Sequence, residues 1–155
     1  AATRLFLVLG PDAALVVDRC RLHQYGRLEA RLHSQAEVTL NDGRAVLSGE
    51  DAELHLVFAA DEDAALHYAV DPVSRPGPVS HMLRWCTDKL VHAGTLATLV
   101  SRTPDARLWI EGRAEDATQT LTAAVHGQQW SFALDTGLQP TAVDADRAQP
   151  ATAPA

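Results

Sequence analysis

The stretch EVTLNDGRAVL, residues 37–47, decides the fold class. Two runs of β-forming residues flank Asn41-Asp42-Gly43. An Asn/Asp-Gly turn between such runs is the strongest short-range hairpin signal, because its central residues tolerate the positive φ of a tight reversal. Outward from this point the same grammar recurs. Upstream, apolar residues 5–9 and 13–17 flank Gly10-Pro11-Asp12 and read as a hairpin buried at its centre. Residues 19–23 and 27–33 then place Cys20, Leu22, Leu28, Ala30 and Leu32 at even positions and polar residues at most odd ones. Period two argues half-buried strands, with residues 24–26 as the reversal between them. Downstream, residues 52–59 and 65–70 flank Asp61-Glu62-Asp63 and read as a third hairpin with a solvated acidic tip.

Residues 71–80 carry Pro72, Pro76 and Pro78 and must be irregular, since proline cannot donate to a ladder. Further strands are expected at 82–91, 95–100 and 107–112, with a last pair, 120–125 and 129–134, around His126-Gly127. A helix over 83–100 is disfavoured by Gly94 and by the β-branched Val91, Thr95, Thr98 and Val100. The expectation is an all-β chain, an antiparallel β-sandwich of about ten strands over residues 1–139. Residues 140–155, rich in Ala, Pro and Thr without periodicity, are expected to form a disordered tail.

Composition narrows the function classes. The chain has 155 residues, 46% of them hydrophobic and 21% charged, enough for one well-filled domain. A net charge of -7 opposes nonspecific binding to nucleic acid. No apolar run approaches the roughly 20 residues of a bilayer-spanning helix, so no membrane partner is expected. The opening Ala1-Ala2-Thr3-Arg4 has no charged stretch ahead of an apolar one and is not read as a secretory signal. Cys20 and Cys86 form no metal-binding spacing, and their pairing stays open.

The search for chemistry yields one direction. Seven histidines supply pairs, His23 with His33 and His55 with His67, but no H-x-H or HExxH pattern, and a zinc site needs three or four convergent ligands. No metal and no cofactor are therefore expected. Ser80-His81 are sequence neighbours whose side chains diverge on a strand, and no nucleophile elbow exists. Tyr25 and Tyr68 could serve as acid or base only in a cleft that lowers their pKa, and packing is the simpler reading. Arg19, Arg21, Arg27 and Arg31 share a parity with His33 and, on paired strands, would project from one sheet face interrupted by Glu29. Such a row would hold carboxylates or sulfates through bidentate bonds, which makes these five residues the candidate substrate contacts. Of Trp85, Trp109 and Trp130, at least two are expected in the core.

The order of segments resembles the C-terminal β-sandwich of heparinase II/III-like polysaccharide lyases. The resemblance rests on Arg4, on LFLVLGPDAALVVDR with Val16-Val17-Asp18, on His23, on Arg31-Leu32-His33, and on PVSHMLRWCTDKLVHAGTLATLVSR at residues 78–102, and covers roughly residues 3–134. It implies a parent enzyme that cleaves an acidic, uronate-containing polysaccharide by β-elimination, with its catalytic tyrosine on an N-terminal α/α toroid. No residue of this chain matches a catalytic position of that family. The resemblance thus implies a noncatalytic domain, inactive alone, that scaffolds the catalytic part and contacts polymer, and it favours a periplasmic or secreted location. The alternative is an independent carbohydrate-binding β-sandwich, which would present exposed tryptophans such as Trp85 and Trp109 on one face.

Overall fold

The computed structural model describes residues 1–71, 79–135 and 140–143. The chain is all-β, and every strand pairing is antiparallel. The first hairpin forms as expected: β1 (Ala2–Val8) pairs with β2 (Ala13–Gly26), Leu5 opposite Val17. The second also forms, β4 (Glu37–Asn41) with β5 (Arg44–Ser48), and its turn residues Asp42 and Gly43 have φ of 45° and 72°. The last pair, β11 (Thr118–Val125) with β12 (Gln128–Asp135), turns at His126 and Gly127 with φ of 52° and 71°. The remaining strands are β3 (Glu29–Ser34), β6 (Glu53–Ala60), β7 (Ala64–Asp71), β8 (Ser80–Thr87), β9 (Val91–Ser101), β10 (Arg107–Glu111) and β13 (Pro140–Val143). Thirteen strands thus replace the expected ten among the described residues.

The strands form three sheets, ordered β1-β2-β9-β6-β5-β4, β10-β11-β12-β13 and β3-β8-β7. Alternation of side chains assigns the layers. Leu15, Val17, Val57, Ala97 and Leu99 on one face of the six-stranded sheet pack with Leu121, Ala123, Phe132 and Leu134 of the four-stranded sheet. On the opposite face Leu47, Leu56, Phe58 and Val100 pack with Leu32, Leu66 and Leu83 of the three-stranded sheet. β9 is central to the six-stranded sheet and covered on both sides, which explains its near-continuous apolar run.

Two expected hairpins do not form. Residues 19–23 continue β2, and β3 leaves its neighbour to pair with β8 in another layer, Leu32 opposite Leu83. An irregularity in the β2–β9 ladder between Arg21 and Gly26 precedes this crossing. The crossing is fixed at Leu28, which donates its N–H to the Thr87 hydroxyl (3.1 Å) and accepts from Thr87 N–H (3.0 Å). Leu28 closes over Gly94, where a Cβ would meet its Cδ1 at 2.6 Å. Likewise β6 and β7 lie in different sheets, so residues 61–63 are a crossover between layers. At the C-terminal end, Pro140–Val143 pairs along β12, inside the stretch expected as tail, and residues 144–155 lie outside the described residues, as do residues 72–78 of the proline-rich stretch.

The expected solvated tip is instead a junction. Asp61 Oδ1 accepts from Thr95 N–H (2.7 Å), and Oδ2 accepts from Ala114 N–H (2.7 Å) and Gln119 Nε2 (3.0 Å). Gln119, fully buried, accepts the Thr95 hydroxyl at 2.7 Å, and the buried Arg19 donates to the Ala114 carbonyl at 3.0 Å. One carboxylate therefore joins the β6–β7 crossover, β9 and the β10–β11 loop. Removing it leaves the Thr95 and Ala114 N–H groups without an acceptor and Gln119 Nε2 with only the Gly112 carbonyl at 3.3 Å, and hydrogen bonds to a charged group contribute about 1.5–3 kcal/mol each. Asp61→Ala should cost on the order of 3 kcal/mol, lowering Tm by roughly 6–12 °C in thermal melts. Asp61→Asn, which keeps one acceptor, should lose less. A Tm within a degree or so of the parent would show that water replaces the carboxylate.

Candidate functional site

The three-stranded sheet turns its even-numbered β3 residues, Ala30 and Leu32, inward against the core. Its outward side carries a cross-strand row: Arg31 on β3 lies opposite Arg84 on β8, which lies opposite His67 on β7. His33 is exposed two residues beyond Arg31 on the same strand face. Like charges directly opposed across strands repel unless a counter-charge intervenes. Here Glu29 supplies it, hydrogen-bonded to Arg31 Nε and 3.6 Å from Arg84 Nε. Two guanidiniums thus share one carboxylate, with their side chains 60% and 40% exposed. The face can take a second anion beside Glu29, through forked donors suited to carboxylate or sulfate.

The expected arginine row does not assemble. Arg19 is 4% exposed, on the opposite face of the six-stranded sheet, with its guanidinium on the Ala114 carbonyl. Arg21 follows it two residues later on β2 and is exposed, and Arg27 is exposed in the β2–β3 crossing. Only Arg31 and His33 share the outer face of the three-stranded sheet. The reason is the crossing at Leu28: parity carries a row of residues across neighbouring strands only if the strands belong to one sheet. Arg84 and His67 complete the row, and neither is among the expected substrate contacts, His67 entering only as a metal-site partner of His55. Their signal is a register, β3 with β8 and β8 with β7, that spans some fifty residues of chain and has no local sequence mark.

Beneath β3 runs a cleft between the layers. It is lined by Phe6, Val16, Leu32, Phe58, Leu83 and Trp85, with Arg4, Asp18 and Arg31 among its polar wall residues. Arg4 and Asp18 are cross-strand partners, joined by two hydrogen bonds of 2.5 and 2.9 Å, and the carboxylate holds the guanidinium pKa above its usual value. Trp85 packs with Phe58, ring centroids 5.4 Å apart. Trp85 and Trp130 both pack against core clusters, as expected for two of the three tryptophans.

The titratable pairs are distributed elsewhere. Tyr68, 40% exposed, hydrogen-bonds His81 Nδ1 at 2.8 Å with the rings stacked, and Tyr25 meets His92 edge-on at 5.3 Å. His55 and His67 lie in different sheets, as do His23 and His33. Among the described residues no group of three or more His, Cys, Asp or Glu is arranged to hold a metal ion. No helix among them is long and apolar enough to cross a membrane. In comparison with known proteins, no family model matches the chain and no curated protein is significantly similar to it.

Cys20 and Cys86 are free thiols. Burial raises the Cys20 pKa, and the neighbouring Asp18 charge raises it further. Less thiolate means slower alkylation. Iodoacetamide at pH 8 should therefore label native Cys20 more slowly than an unstructured cysteine, with full labelling after denaturation. Asp18→Asn should quicken the native reaction. Labelling of the native protein at the unstructured rate would contradict the raised pKa.

Proposed function

We propose that this domain is a noncatalytic C-terminal β-sandwich of a heparinase II/III-like polysaccharide lyase. In this reading it scaffolds the catalytic part and contacts an acidic, uronate-containing polymer that the parent cleaves by β-elimination. The observation that carries polymer contact is the row of Arg31, Arg84 and His67 on the outer face, where two guanidiniums share the Glu29 carboxylate. A three-stranded surface with forked donors suits repeated carboxylates spaced along a chain better than it suits one small ion. The motif residues behind the resemblance have structural roles consistent with a scaffold: Arg4 and Asp18 clamp β1 to β2, and Leu32 seats β3 on the core. The alternative, an independent sugar-binding module with a tryptophan platform, has less support. Trp85 packs inward, and Trp109 and Trp130 lie on the other outer sheet.

Binding of the full chain to a panel of acidic and neutral polysaccharides, at low and raised salt, tests the reading. Uronate polymers should bind and neutral ones should not, and the affinity should fall as salt screens the exposed charges. Arg31→Ala/Arg84→Ala should weaken binding at least about tenfold, whereas Arg21→Ala, distant from the row, should not. No binding of any uronate polymer at low salt would overturn polymer contact. Formation of unsaturated product by the chain alone would overturn its noncatalytic character.

A further inference from the structure

Strand β1 lies at one end of the six-stranded sheet and, among the described residues, pairs only with β2. The ladder shows which of its backbone groups are left over. Ala1 and Arg21 exchange both N–H···O bonds, at 2.7 and 2.8 Å, and Leu9 N–H donates to the Ala13 carbonyl at 3.0 Å. Hydrogen-bonded pairs alternate along an antiparallel ladder, so between these ends Thr3, Leu5 and Leu7 bond to β2. The N–H and C=O groups of Ala2, Arg4, Phe6 and Val8 therefore point away from the sheet. The same four residues are the exposed ones, Phe6 at 71% and Val8 at 82%. A strand edge is normally guarded by lysine, proline, a bulge or an unpaired charge. Here the register is unbroken, and the only charge, Arg4, is held by Asp18. β4, at the other end of the sheet, is shorter and begins on Glu37.

The free backbone groups call for an extended strand, and the side chains select which one. We infer that β1 pairs antiparallel with β1 of a second copy of this chain, about a twofold axis at Leu5. In that register Arg4 faces the partner's Phe6 and Ala2 faces the partner's Val8, so all four outward residues exchange bonds with the second copy. Each guanidinium then lies beside an aromatic ring, which attracts it. An axis at Arg4 would instead oppose the two guanidiniums, and an axis at Phe6 would leave Ala2 unpaired. The twofold contact also closes on itself, whereas pairing β1 with β4 would leave an open edge on each copy and propagate as a fibre. Facing residues project to one side of a sheet, so the partner's Phe6 comes to Arg4, a wall residue of the apolar cleft. The contact uses none of Arg31, Arg84 and His67, so it stands or falls independently of polymer binding.

A strand of 7 residues a side is small against the usual 20–30 or so, and the dimer should be weak. Sedimentation of the full chain from about 10 µM to 1 mM should show the mean mass rising from one chain toward two, with Kd of about 0.1 mM. Phe6→Pro removes one outward N–H without touching the β1–β2 ladder and should weaken association at least about tenfold. Phe6→Lys, which sets an ammonium against the partner's Arg4 from an exposed position, should do the same, and it decides the matter if Phe6→Pro does not fold. The register has its own test in a Cys20→Ala/Cys86→Ala background. Leu5→Cys places two thiols across the axis at a Cα separation of about 4.5 Å, within disulfide range. Mild oxidation should cross-link Leu5→Cys into dimers at least about tenfold faster than Leu7→Cys, which faces the partner's Thr3. The mass of one chain at every concentration, undiminished association of Phe6→Lys, or equal cross-linking of the two cysteine variants would each overturn the pairing.

Discussion

The carboxylate of Asp61 is the constraint around which the layers are arranged. A β-sandwich normally joins its sheets by apolar packing, which sets the spacing of the layers but is nondirectional. Here a single charged group accepts hydrogen bonds from the central strand β9, from the β10–β11 loop and from the side chain of Gln119 on β11. Asp61 also follows directly on β6, so the crossover into β7 leaves the six-stranded sheet at the point where that carboxylate is anchored. Arg19 reaches the same loop from β2, through the Ala114 carbonyl. Directional bonds thus set where the three layers meet, and apolar packing fills the space between them.

This arrangement leaves the two outer layers with different chemistry. The four-stranded sheet presses Leu121, Phe132 and Leu134 into the larger core. The three-stranded sheet covers a smaller cluster and stops short of β1, where Phe6 and Val8 are 71% and 82% exposed. Its outer face gathers charge because its inner face is committed to Leu32, Leu66, Leu83 and Trp85. The cationic row and the apolar cleft are therefore two sides of one thin layer.

Local features of the fold were legible in the sequence, and long-range ones were not. The hairpins at 42–43 and 126–127 follow from residues that accept positive φ, and alternation located β3 and its inward residues correctly. Alternation could not reveal that β3 pairs with β8, because period two reports which way a side chain points relative to its own strand and not which strand lies beside it. Arg19, Arg21, Arg27, Arg31 and His33 were grouped by that parity and separated by the crossing at Leu28. Asp61 looked like a turn residue among acids, since nothing near it in sequence marks Thr95, Ala114 and Gln119 as its donors. The polar residue that matters most was hidden for the same reason as Arg84: its partners are distant in the chain.

The position of β9 bears on how the polypeptide reaches this state. β9 lies between β2 and β6, and Ala13 is partnered by Ser101, so the six-stranded sheet cannot close until most of the chain is available. During synthesis the β1–β2 and β4–β5–β6 units emerge early, each with an unsatisfied inner edge awaiting the same late strand. Such nonlocal closure slows folding and exposes strand edges to wrong pairing in the meantime. The order of the strands leaves the inner edges of β2 and β6 unpaired until β9 follows them.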